Sequence, residues 1–154
     1  MNWDALAAVA DIVAAAAVVI TLIYLAKEVR HNSRSIEIAA LRDTTAQWHQ
    51  WSNMIVSSSD LAEIVAKGNL GYDKLAASER LRYGAYVQTF FDNVESVWAL
   101  NREYGVEKDL DVLESIVRRR ITFNGFIECW SDYADDYSSE FVQWIESIRD
   151  DIGQ

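Results

Sequence analysis

The sequence predicts an all-α protein: one N-terminal transmembrane helix continuing into a cytoplasmic helical bundle of about five helices. Three observations predict it. Proline is absent from all 154 residues, so no helix carries its usual breaker. Apolar residues recur at helical spacing through most of the chain, and strand-like alternation persists nowhere. One early stretch, 5–26, is apolar nearly all round, which is the pattern of a helix with no face for water. The chain divides accordingly into 1–26, an N-terminal tail and transmembrane helix, and 27–154, an acidic helical domain large enough to bury one modest core.

The expected span reads ALAAVADIVAAAAVVITLIYLA, with Asp11 its one charged residue. As a helix it reaches about 33 Å, close to the ~30 Å of a bilayer's hydrocarbon. Trp3 and Tyr24 fall about 31 Å apart along it, one near each interface, where amphipathic rings settle. No lysine or arginine precedes the run, unlike a cleaved signal peptide. A buried core helix of a soluble protein is the other reading, since Ile12 to Ala26 is apolar nearly all round with no polar face to show water. Lys27, Arg30 and Arg34 follow the run. By the positive-inside rule they hold that end in the cytoplasm and leave the N-terminus outside. Trp3, Tyr24, Lys27, Arg30 and Arg34 are therefore the expected membrane-interface anchors.

Ala7, Ala10, Ala14, Ala17 and Thr21 recur at alternating spacings of three and four. They form a stripe of small side chains that lets a second helix approach closely in lipid. Asp11 flanks that stripe, and two readings of it stand. At depth it is a polar contact with a partner helix, or a proton or ion group. Alternatively it sits at headgroup level, just outside a shorter span from Ile12 to Ala26.

Residues 27–58 hold a helical period through Ile36, Ala40, Thr44, Trp48, Trp51 and Ile55 with no glycine or proline, so the span is expected to run on as a rigid rod. Ser57-Ser58-Ser59-Asp60 ends it. Asp60 with Glu63 resembles a capping box for a short helix over 61–67. Gly68-Asn69-Leu70-Gly71 is a loop, lacking both the lysine–hydroxyl pair and the preceding strand of a phosphate loop. Ser78 is the expected cap of a long helix from Glu79 to about Tyr104, closed by Gly105. Its stripe is Tyr83, Val87, Phe90, Val94, Val97 and Tyr104, with Phe91 and Trp98 beside it and Gly84 inside the run. Helical runs over about 108–123, ending near Asn124-Gly125, and over 126–136 and 140–151 complete the bundle.

The formal net charge of −10 repels nucleic-acid phosphate and argues against DNA or RNA as a partner. Cys129 is the one cysteine; it allows no intramolecular disulfide, suits a reducing compartment, and reads as a small buried hydrophobe. His31 and His49 lie about 27 Å apart on one helix and cannot share a metal. Asp132, Asp135, Asp136 and Glu140 lack the EF-hand pattern and read as a solvated acidic face. Arg118, Arg119 and Arg120 spread over about 200° of a helix. They touch anionic headgroups, or at least two of them pair with carboxylates. Tyr83, Phe90, Phe91, Trp98 and Trp130 read first as core and second as the lining of a ligand pocket. No acid–base–nucleophile set can be assembled, because both histidines lie on the first helix. No cofactor or metal site is expected.

Two stretches carry a resemblance: Val18 to Ala26 followed by Val29-Arg30-His31-Asn32, and Trp130 through Tyr137-Ser138-Ser139-Glu140-Phe141-Val142. Together they resemble a widespread family of uncharacterised small bacterial proteins with one N-terminal membrane span, and 60–68 and 78–104 fit its middle. The chain departs from that family at Glu28, where glutamine is usual, and at Ser139, where proline is usual. The resemblance implies topology and a helical domain in the bacterial inner membrane, and no activity. The function expected is a non-enzymatic accessory or scaffold subunit, with lipids and either another membrane protein or copies of itself as partners. A self-assembling homo-oligomer and a membrane-tethered sensor or ligand-binding module are the alternatives.

Overall fold

The computed structural model describes residues 3–104 and 107–152; the side chains of 3–13, 34, 37, 38, 40, 41, 104 and 107–109 lie outside the description. Among the described residues the protein is all-helical, with no strand. The helices are α1 (Trp3–Val56), α2 (Ser59–Gly68), α3 (Ala77–Tyr104), α4 (Glu107–Ile121), α5 (Asn124–Tyr133) and α6 (Ser139–Ile152). Single 3-10 turns at Tyr72–Lys74 and Ala134–Asp136 join α2 to α3 and α5 to α6. The chain forms two compact units, Met1–Asp43 and Thr44–Gln154. The division falls later than the one drawn from hydropathy at Ala26, because every described side chain from Ala14 to Asp43 is exposed.

The second unit is built on α3. Tyr83, Tyr86, Val87, Phe90, Phe91, Val94 and Trp98 are all buried, and their spacing of three and four places them on adjoining faces of one helix. Each neighbour brings a stripe of its own: Leu61, Ile64 and Val65 from α2, Leu113, Val117 and Ile121 from α4, Phe126, Cys129 and Trp130 from α5, and Phe141, Ile145 and Ile148 from α6. Phe91 lies against Trp130 with ring centroids 4.3 Å apart, and Phe90 meets Phe126 edge to face at 5.2 Å. The last turns of α1 close the remaining side. Trp51 is buried there, with Trp48, Met54 and Ile55 partly buried beside it, so the later half of the predicted α1 stripe faces this core. Its earlier member Ile36 is exposed, and Ala40 lies outside the described side chains.

Three helix starts differ from those the sequence suggested. Ser58, not Asp60, caps α2: its backbone is extended and its hydroxyl accepts from the Leu61 N–H. Asp60 sits instead in the first turn, where a carboxylate favours the helix dipole. Helix α3 begins at Ala77, one residue before the expected Ser78 cap. Glu79 secures that start, its carboxylate accepting from the Ala76 N–H and the Lys67 ammonium, each at 2.7 Å; the Lys67 bond holds its pKa below the usual carboxylate range. Helix α5 begins at Asn124, where Asn124-Gly125 had suggested a helix end. A glycine is needed there for close approach rather than for a turn. A Cβ on Gly125 would lie 1.8 Å from the Gly68 carbonyl oxygen, and one on Gly68 would lie 2.5 Å from the Tyr83 ring. Gly84, the anomaly inside α3, makes room for the Tyr133 hydroxyl, which a Cβ would meet at 2.8 Å.

Among the described residues no helix is long and apolar enough to cross a membrane. The expected span starts among residues 5–13, whose side chains lie outside the description. The part from Ala14 to Ala26 is about 20 Å long, short of a hydrocarbon core of about 30 Å.

Two substitutions probe this packing. Gly125→Ala drives a methyl into the Gly68 backbone and should cost at least the 1–3 kcal/mol or so typical of overpacking, read as a lower urea midpoint. Tyr86→Phe should leave that midpoint unchanged or raise it. Among the described residues the buried Tyr86 hydroxyl has no hydrogen-bond partner, so its removal relieves a desolvation cost of about 1–3 kcal/mol.

Candidate functional site

The feature of the first unit is its uncovered apolar surface. Val18, Val19, Ile20, Leu22, Ile23, Tyr24 and Leu25 are each between 54% and 67% exposed. Consecutive residues step by 100° around a helix, so this band encircles α1 rather than facing one side. Its one hydroxyl besides Tyr24 belongs to Thr21, which donates to the Ala17 carbonyl at 2.8 Å. That bond removes the hydroxyl's need for water. Ala14, Ala17 and Thr21 of the small-residue stripe share a helix face and are exposed. Ala7, Ala10 and Asp11 of the same stripe, and Trp3, lie outside the described side chains.

Past Ala26 the helix turns polar. Tyr24, Lys27, Glu28 and His31 line a hollow on its surface, with Arg30 exposed beside them. The Arg34 side chain lies outside the description. The sequence reading named Tyr24, Lys27 and Arg30 as anchors and missed the hollow. Its signal was present in the spacing of three, four and seven from Tyr24, which brings four side chains to one face.

In the bundle, the five residues read as a pocket lining come together. Tyr83, Phe90, Phe91 and Trp130 are almost wholly buried, and Trp98 nearly so. Their faces are occupied by each other and by further rings: Phe90 by Phe91, Phe91 by Trp130, Trp130 and Trp98 by Phe141. The Trp130 indole N–H donates to Glu146 at 3.0 Å, and the Tyr83 hydroxyl to Asn69 at 2.9 Å.

The arginine run divides its work. Arg118 pairs with Glu114 at 2.8 Å and Asp151 at 3.3 Å. Arg120 lies over the Trp51 ring, 5.0 Å from its centroid. Arg119 is exposed. Among the described residues Arg118 is the one of the three that pairs with carboxylates, and Trp51 offers Arg120 an aromatic face. Glu140 leaves the acidic cluster to pair with Arg102, while Asp132, Asp135 and Asp136 are exposed. Tyr137 donates to Asp92 at 2.9 Å, and the Ser138 N–H and hydroxyl both donate to Glu95. These bonds fix the start of α6 on α3.

His31 and His49 are both exposed on α1. Among the described residues no group of histidine, cysteine or carboxylate side chains is arranged to hold a metal ion. Cys129 is fully buried. Burial, helped by the nearby Asp132 charge, pushes its thiol from 9.0 up to about 12.

No protein-family model matches the chain, and neither a curated protein nor a solved structure does.

Burial also raises Tyr86, from 10.0 to about 12. Both groups bind a proton more tightly folded than unfolded. The stability they contribute is complete below about pH 9 and is lost as pH rises toward 12. The melting temperature should therefore hold level from pH 7 to 9 and fall above it. At pH 8 a thiol reagent should leave native Cys129 unmodified, since only about one thiol in ten thousand is ionised, and should label it rapidly in denaturant. Rapid labelling of the native protein would contradict the buried placement.

Proposed function

We propose that the protein is a non-enzymatic accessory or scaffold subunit of a bacterial inner-membrane assembly, held in the bilayer by α1 and presenting its acidic bundle to the cytoplasm. The observation that carries this reading is the encircling apolar band from Val18 to Leu25. Each large side chain left in water forgoes roughly 1.5–3 kcal/mol of burial, and lipid or a partner helix would recover it. The sequence of 5–13 extends the band to the length a bilayer needs, with Asp11 as its one charge. The internal bond of Thr21 suits a medium without water. Lys27 and Arg30 follow the band directly, which favours a cytoplasmic bundle.

Several features favour a binding role over catalysis. The one thiol is buried and protonated, and both histidines stand apart on α1. The aromatic cluster of the bundle fills itself, so the sensor reading draws no support from it. The stripe of Ala14, Ala17 and Thr21 favours close approach of a second helix, which is either a different membrane protein or a second copy of this chain.

Extraction of the native protein in a gentle detergent, followed by affinity capture and sizing, tests the proposal. The expected outcome is co-elution with a larger membrane protein, lost in Ala14→Leu while the bundle's melting temperature stays unchanged. A particle containing only copies of this chain would favour self-assembly. Recovery in the aqueous fraction without detergent would overturn the membrane reading.

A further inference from the structure

The polar turn that follows the apolar band holds exposed charges of both signs. Tyr24, Lys27, Glu28 and His31 line one hollow. Among the described residues neither Lys27, Glu28, Arg30 nor His31 takes part in an ion pair. Lys27 and Glu28 are neighbours in sequence and diverge by about 100° around the helix, so they border the hollow without closing on one another. An ammonium and a carboxylate held apart at one concavity are complementary to a ligand that itself carries an anion and a cation a short distance apart. If α1 spans the bilayer, this turn lies at headgroup depth, just past Ala26, the end of the expected span.

We propose that the hollow formed by Tyr24, Lys27, Glu28 and His31 binds a phospholipid headgroup carrying both a phosphate and a primary ammonium, as in phosphatidylethanolamine; the inference rests on the membrane reading of α1. Lys27 donates to the phosphate, and the Glu28 carboxylate accepts from the lipid ammonium. Tyr24 lies one turn nearer the apolar band and flanks the lipid's glycerol end, where an amphipathic ring is at home. His31 closes the far end, and Arg30 adds positive charge beside the hollow. A choline headgroup carries no N–H to donate to Glu28. A glycerol headgroup offers no cation, and leaves Glu28 beside a phosphate.

The test uses the full chain reconstituted in vesicles of phosphatidylcholine mixed with either phosphatidylethanolamine or phosphatidylglycerol. Flotation reports membrane association, and native mass spectrometry after gentle extraction reports the lipids retained. The expected result is flotation with both mixtures and retention of the ethanolamine lipid about threefold over the choline lipid, the scale of one exposed ion pair. Glu28→Gln should abolish that preference without affecting flotation. Equal retention of ethanolamine and choline lipids, preferential retention of the glycerol lipid, or an unchanged preference in Glu28→Gln would each overturn the headgroup assignment and leave the membrane reading standing. An adduct with soluble phosphoethanolamine in choline-only vesicles would overturn the lipid as the ligand. Failure to float would overturn both readings together.

Discussion

Trp51 is where the last turns of α1 become part of the bundle. Its ring lies nearly parallel to that of Tyr86, 4.8 Å away, its indole N–H donates to the Tyr86 carbonyl at 3.0 Å, and the Arg120 guanidinium covers it. One side chain thus joins α1, α3 and α4. Trp48 supports it edge-on and reaches Phe90, and Asn93 donates weakly to the Gln47 carbonyl. The remaining core depends on this placement because Tyr86 and Phe90 stand at the centre of α3, and each passes contact on to Phe126 of α5. Without Trp51 the widest faces of α3 would stand open to water.

Glycine does the complementary work on the other side of α3. Large rings need space, and Gly68, Gly84 and Gly125 supply it by letting backbone or a ring edge come within a distance that any side chain would forbid. The bundle therefore combines bulky aromatic contacts with a few very close backbone approaches. Hydrogen bonds then fix the loops: the Tyr72 N–H to Glu128 at 2.8 Å, and Ser138 to Glu95.

Much of this was legible beforehand. Helical period and the absence of proline announced the helices, and the stripe through Tyr83, Phe90 and Val94 identified the central one. What the sequence did not disclose followed from tertiary context. Tyr86 lies between two predicted stripe positions, and rings arriving from other helices, Trp51 and Phe126, cover it. Gly125 looked like a stop because glycine ends helices more often than it starts them, and its reason for being there is a carbonyl distant in sequence. Arg118, Arg119 and Arg120 were read against headgroups and carboxylates because sequence shows charge and hides aromatic faces such as that of Trp51 under Arg120. For the candidate site, the apolar band and the cations after it were plain in the order of residues, while the hollow that Lys27 and Glu28 border with Tyr24 and His31 required side chains in place.

The uncovered band of α1 also bears on how the protein is made. Translation runs from the N-terminus, so Val18 to Leu25 leaves the ribosome before any part of α3 has been synthesised. Among the described residues the band's own side chains are exposed. Large apolar side chains left in water favour association with any apolar surface they meet. The same order means that the bundle completes its core only after the band has been made, so a fault in the bundle's packing leaves the band intact with an unfolded tail behind it.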